Sequence, residues 1–168
     1  MPGKEATIAI IGGSGLYEMD GLEDTRSVKL TTPFGDPSDE IVLATLGGQR
    51  VAFLPRHGRG HRISPSEVNS RANIYALKTL GVEHIISVSA VGSLREEIPP
   101  LHVVIPDQVL DRTRLRRNTF FGRGLVAHIG FADPFCPDLS ALLYDSAASC
   151  DAAVHKGGTY VCIEGPQF

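Results

Sequence analysis

The sequence predicts an α/β fold, a sheet of short apolar strands with helices between them and a site at the strand ends. Three observations point to it. The run Ala6-Thr-Ile-Ala-Ile-Ile11 passes straight into Gly12-Gly-Ser-Gly15, the pattern of a buried strand ending in a tight glycine turn. A capped helix beginning at Ser64 is followed at once by a second apolar run, Val82 to Ala90. Each such strand closes on a polar loop, the place where open α/β sheets put their ligands.

The elements follow in order. Arg26 to Thr32 alternates weakly and reads as a half-exposed strand, and Pro33-Phe-Gly-Asp-Pro37 is a turn cluster. Glu40–Leu46 and Arg50–Leu54 flank Gly47-Gly48, which predicts a hairpin neighbouring the first strand. Pro55-Arg-His-Gly-Arg-Gly-His61 is too rich in glycine for a helix and is read as a loop. Ser64, Pro65 and Glu67 form a capping-box signature. The helix is expected to run to about Leu80, with Val68, Ala72, Ala76 and Leu80 on one stripe and Gly81 as its stop. Val103-Val-Ile105 is a short core strand, and residues 112–130 read as loop. Asp138 is the expected cap of a helix reaching about Ala153, and Thr159–Ile163 is a last strand. No repeat, linker or domain boundary is visible, so residues 1–168 read as a single α/β domain.

Composition narrows the function classes. With 42% hydrophobic and 21% charged residues and a net charge of −3, nothing marks a nucleic-acid or membrane partner. Met1-Pro-Gly-Lys-Glu does not read as a signal-peptide h-region, no run approaches membrane-spanning length, and a cytoplasmic location is expected. The three cysteines, Cys136, Cys150 and Cys162, lack C-x-x-C spacing and are expected as buried small hydrophobes.

Three loops at strand ends carry the chemistry: Gly12–Gly15 with Ser14, Arg56-His57, and Ser89-Ala90. Glycine amides, an arginine fork, an imidazole and two hydroxyls are suited to an oxyanion with several acceptor oxygens. Each loop alone is better explained as a plain turn, with Arg56 solvated and His57 packed. Three together on consecutive strands favour a bound inorganic phosphate held as a nucleophile. Other readings fail on spacing. Glu18 stands where a dinucleotide fingerprint needs glycine, and no Walker sequence exists. His57 and His61 are separated by glycines that oppose a helical zinc pair, so no metal is expected. The arginines at 112, 114, 116 and 117 lack interleaved aromatics and suit a solvated loop or a subunit contact better than nucleic acid. Glu96-Glu97 resembles an acid pair, but sequence neighbours point apart and a plain surface is expected.

The chain resembles the S-methyl-5'-thioadenosine phosphorylases, a subgroup of the trimeric purine nucleoside phosphorylases. The motifs that carry the likeness span nearly all of it: Gly12-Gly-Ser-Gly-Leu16, Thr32-Pro-Phe-Gly-Asp-Pro-Ser38, Pro55–His61, Ala72-Asn-Ile-Tyr-Ala-Leu77, Ser89-Ala-Val-Gly-Ser-Leu-Arg-Glu96, Ile105-Pro-Asp-Gln108, Asp111-Arg-Thr113, Pro134-Phe-Cys-Pro137 and Glu164-Gly-Pro-Gln-Phe168. The resemblance implies a mixed β-sheet flanked by helices, a homotrimer, a purine nucleoside substrate, and no cofactor, inorganic phosphate being the co-substrate. It places phosphate contacts on Ser14, Arg56, His57, Ser89 and Ala90. It puts the aromatic that packs on the purine at Phe168, whose other reading is a frayed terminal residue. His128 matches a histidine that reaches a neighbouring subunit's methylthio pocket, and a packed core histidine is the competing reading. The implied reaction is phosphorolysis of 5'-deoxy-5'-methylthioadenosine to adenine and 5-methylthioribose 1-phosphate.

The base-protonating aspartate of that family falls beyond residue 168, so no catalytic residue is expected here and the fold is expected to be incomplete at its C-terminus. Two other functions stay open: a phosphorylase for 6-oxopurine nucleosides or methylthioinosine, and an inactive fragment that only binds phosphate or assembles with intact subunits. Pro99-Pro-Leu-His102 replaces the Pro-Gly-Asp turn usual in relatives, and the missing glycine predicts strain.

Overall fold

A computed structural model describes residues 4–13, 15–16 and 19–166. They fall into two compact units, residues 1–90 with 116–120, and residues 91–115 with 121–168.

The first unit is a five-stranded mixed sheet with one helix. Its strands are β1 (Ile8–Gly12), β2 (Leu22–Val28), β3 (Ile41–Leu46), β4 (Gln49–Pro55) and β5 (His84–Ser87), in the order β2-β3-β4-β1-β5. The hairpin forms as expected. Leu46 pairs with Gln49, and Gly47 and Gly48 both take positive φ, 54° and 78°, as a two-residue turn between twisted strands requires. β1 lies parallel to β4 on one side and to β5 on the other. That arrangement brings the C-terminal ends of all three strands to one edge.

Alternation along the strands builds two apolar layers. Ala9, Ile11, Ile41, Leu43, Ala52 and Leu54 face one side, where α1 (Ser70–Thr79) covers them with Ala76 and Leu77, and Leu80 joins the same layer. Val42, Ala44, Val51 and Phe53 face the other, packed with Ile8, Ile10, Leu16, Met19, Leu22 and Leu46.

Three expected boundaries move. The second strand begins at Leu22 rather than Arg26, because a bulge between Glu23 and Arg26, with Asp24 at φ 48°, interrupts the alternation from which it was read. The strand expected over Val82–Ala90 is hydrogen-bonded only over His84–Ser87. The helix starts at Ser70, not after Ser64. The Ser64–Glu67 bonds do form, with the amide and hydroxyl of Ser64 donating to Glu67 at 3.1 and 2.6 Å, but they close an isolated turn. The cap is Asn69, whose side-chain oxygen accepts from the Ala72 amide at 3.2 Å while its amide donates to the Phe34 carbonyl at 2.7 Å. Val68 therefore precedes the helix, and the buried stripe is Ala72, Asn73, Ala76 and Leu77.

The second unit holds two short parallel pairs and a helix. β6 (Val103–Ile105) pairs with β8 (Val154–Lys156), and β7 (Gln108–Asp111) pairs with β9 (Thr159–Cys162). β6 and β9 lie where the sequence predicts strands, whereas β7 and β8 are not among the strands it predicts. α2 runs Pro137–Ser149 behind Cys136, which caps it without a side-chain bond. Asp138 sits inside the first turn instead, where its charge still favours the helix N-terminus. Cys136 and Cys150 are exposed and Cys162 half-buried, so the cysteines are not the core residues expected. No helix among the described residues is long and apolar enough to cross a membrane.

Candidate functional site

The parallel triplet β4-β1-β5 ends in three loops held against one another by backbone bonds. The Arg56 amide donates to the Gly12 carbonyl at 2.9 Å, and the Val88 amide donates to the Ile11 carbonyl at the same distance. A Cβ at position 12 would meet Leu16 Cδ1, the far end of a side chain that can turn aside.

Onto this frame the sequence places a guanidinium, an imidazole and a hydroxyl. Arg56 Nη1 donates to Ser89 Oγ at 2.7 Å and to the Val88 carbonyl at 3.4 Å, and its Nε donates to His57 Nε2 at 3.2 Å. His57 Nδ1 lies 2.9 Å from the Ile63 carbonyl. A carbonyl only accepts and an arginine Nε only donates, so the two bonds together require the neutral ring with its proton on Nδ1. His57 thus turns a lone pair toward Arg56 and stacks on His61, centroids 4.9 Å apart. Arg56 and His57 are half-buried, while Ser89 and Ala90 are exposed to solvent.

Arg56, His57 and Ser89, three of the four side chains that the sequence reading groups, are therefore bonded to one another. Ser14 and Phe168 lie outside the described residues. His128 is exposed in the second unit of this chain. Among the described residues no group of three or more His, Cys, Asp or Glu side chains is placed to hold a metal ion.

The loop that presents Arg56-His57 is anchored by residues that sequence reasoning missed. Asp39 Oδ2 accepts from the Arg59 amide at 2.7 Å and from Arg62 Nη2 at 3.3 Å, and Oδ1 accepts from the Glu40 amide at 2.8 Å. Burial by itself would raise the Asp39 pKa. The amides of Arg59 and Glu40 and the Arg62 guanidinium outweigh it and hold the carboxyl below its ordinary value. Behind Asp39, the buried Ser38 is clamped by Asn73 of α1: Asn73 Oδ1 accepts from the Ser38 amide at 2.8 Å, and Nδ2 donates to Ser38 Oγ at 3.0 Å. The one available signal was an asparagine on the apolar stripe of a helix, a polar group that burial obliges to find partners.

The profile of the phosphorylase superfamily matches residues 7–168. The chain belongs to the phosphorylase superfamily. Within that superfamily it is similar to the S-methyl-5'-thioadenosine phosphorylase of Geobacter sulfurreducens, 66% identical over 165 residues that cover 98% of this chain and 58% of the relative. The enzyme of the same name from Hyperthermus butylicus is 56% identical, covering 99% of this chain and 61% of its own length. A crystal structure of a methylthioadenosine phosphorylase from an antarctic soil metagenomic library superposes with a TM-score of 0.95 at 60% identity, over 98% of this chain and 58% of that one. The methylthioadenosine phosphorylase of Schistosoma mansoni in complex with adenine gives a TM-score of 0.89 at 38% identity, over 97% and 66%. This phosphorylase-superfamily chain thus spans about three fifths of the length of the curated relatives it matches.

Proposed function

We propose that this chain supplies the phosphate grip of an enzyme that cleaves 5'-deoxy-5'-methylthioadenosine by phosphorolysis, releasing adenine and 5-methylthioribose 1-phosphate. The bonded cluster of Arg56, His57 and Ser89 at the ends of parallel strands carries the reading, and the names of its relatives supply the substrate. Arg56 binds the phosphate oxygens through its guanidinium, and Ser89 donates its hydroxyl. In the tautomer described above His57 holds the guanidinium plane, and contact with the anion requires its Nε2 to gain a proton.

In the reaction a phosphate oxygen forms a bond to C1' of the ribose as the bond from C1' to the purine nitrogen breaks, its electron pair leaving with adenine. Charge builds at C1' in an oxocarbenium-like transition state, and the adjacent phosphate dianion stabilises it. The departing base takes up a proton by general acid catalysis, worth typically 10²–10⁴-fold. A guanidinium, a hydroxyl and a neutral imidazole are poor sources of that proton, so it comes from outside the cluster. Inorganic phosphate is the co-substrate and no cofactor takes part. A homotrimer, a cytoplasmic location and the substrate contacts of Ser14, Ala90, His128 and Phe168 belong to the same proposal.

The test is adenine release from methylthioadenosine by protein expressed from the complete gene, with and without phosphate. Release that depends on phosphate supports the reading, and no release overturns it. Hypoxanthine released from methylthioinosine in preference would move the substrate to a 6-oxopurine. Arg56→Lys keeps the charge but loses the Nε bond to His57 and the planar fork. It is expected to raise the KM for phosphate about tenfold or more.

A further inference from the structure

We propose that Asp39 is a positioning residue for phosphate binding, acting on Arg56-His57 through the backbone of the loop they share. The inference rests on the phosphate site proposed above and concerns what fixes its geometry.

The segment from Pro55 to Ile63 folds back on itself by three internal backbone bonds: Gly58 to Pro55, His61 to Gly58, and Ile63 to His57. Three of its residues take left-handed φ, namely Gly58 at 69°, Gly60 at 76° and His61 at 55°. The two glycines adopt it freely, but at His61 it persists where the surroundings hold it. Asp39 supplies an outside constraint of that kind. Its side chain is 13% exposed, and one of its oxygens takes both the Arg59 amide and the Arg62 guanidinium. Arg62 in turn donates to the Ser38 carbonyl at 2.8 Å, closing a ring between the two segments. Ser38 is itself locked by Asn73, so the anchor reaches back to α1 and the sheet it covers.

One carboxylate therefore grips the loop three residues beyond Arg56 without touching Arg56 or His57 in any bond described here. Releasing it frees the loop to sample other conformers, and only a fraction of molecules then presents the guanidinium to an anion. Affinity falls by that fraction.

The test measures inorganic phosphate binding by titration calorimetry, with Arg59 amide hydrogen exchange beside it, on wild type, Asp39→Ala and Asp39→Asn. Leu80→Ala, a core change remote from the loop, serves as a control of lowered stability. Asp39→Ala is expected to weaken phosphate about tenfold and to speed Arg59 exchange selectively. Asp39→Asn, which keeps an oxygen for the amide, should restore most of the affinity, while Leu80→Ala lowers the melting temperature and leaves affinity intact. Unchanged phosphate affinity in a folded Asp39→Ala protein overturns the positioning role. So does an equal loss in Leu80→Ala, which would assign the effect to general stability. Wild-type protein that binds no phosphate overturns the phosphate site itself, and this proposal with it.

Discussion

At the scale of single residues, two side chains sit under opposed forces. Leu101 is 99% exposed and has φ 73°, in a turn closed by the His102 amide donating to the Pro99 carbonyl at 3.4 Å. This is the pattern of a type II turn, whose third residue is ordinarily glycine. The strain expected from the sequence is there, and nothing buried offsets it. Leu101→Gly should relieve about 1–2 kcal/mol of left-handed strain against about 0.5–1 kcal/mol of added chain entropy, a net gain of about 0.5–1 kcal/mol in urea unfolding. Asp39 is the opposite case, a residue whose surroundings stabilise its charge. Its pKa is lowered in the folded state, so its contribution is present above the ordinary carboxylate value of 3.8 and is lost as pH falls through the depressed one. Acid should therefore loosen the Pro55–Ile63 loop. Exchange of the Arg59 amide, corrected for intrinsic rate and followed from pH 5 downward, checks this, and Asp39→Asn should abolish the dependence.

Among the elements, α1 shows how tertiary contact overrules a local signal. Ser64-Pro-Ser-Glu67 has every feature of a helix start, and Ser64 does donate its amide and hydroxyl to the Glu67 carboxylate, yet the helix begins six residues later. Asn69 wins because it satisfies two segments at once, its own first turn and the carbonyl of Phe34. Asn69→Ala is accordingly expected to cost about 1–2 kcal/mol, within the range for a lost cap plus a lost hydrogen bond, whereas Ser64→Ala should cost a few tenths. Paired chemical denaturation curves separate the two, and equal losses would return the cap to Ser64. The hairpin β3–β4 is the contrasting case. Gly47-Gly48 offers a turn that few other residues could form, so local chemistry and global pairing agree.

For the molecule as a whole, the two units bury their side chains very differently. Leu43, on the central sheet of the first unit, is fully buried, whereas Leu142 on α2 is 62% exposed and α2 has no buried residue. Leu43→Ala should cost about 2–5 kcal/mol and Leu142→Ala under about 0.5 kcal/mol. Native-state hydrogen exchange should show the same asymmetry, with β1, β3 and β4 exchanging most slowly and α2 early.

How much of this was legible beforehand follows from where each signal resides. The apolar runs of β1, β4 and β6, the glycine hairpin and the presence of a loop at Pro55–His61 are local properties, written in side chains that report on their own neighbours. The strand ends that gather Arg56, His57 and Ser89 could be inferred for the same reason: a parallel strand delivers its following loop to one edge. What local pattern does not carry is the identity of long-range partners. Asp39 meets Arg59 and Arg62 twenty or more residues away, and Asn73 meets Ser38 thirty-five residues back. Neither pairing leaves a trace in periodicity. The same holds for the bulge in β2 and the short strands β7 and β8, whose hydrogen bonds depend on the partner strand rather than on their own composition. By itself the sequence determined which segments are strands or turns and which chemical groups stand at their ends. Tertiary structure alone decided the tautomer of His57, the true cap of α1 and the carboxylate anchoring the loop, because each is settled by atoms that only folding brings within hydrogen-bonding distance.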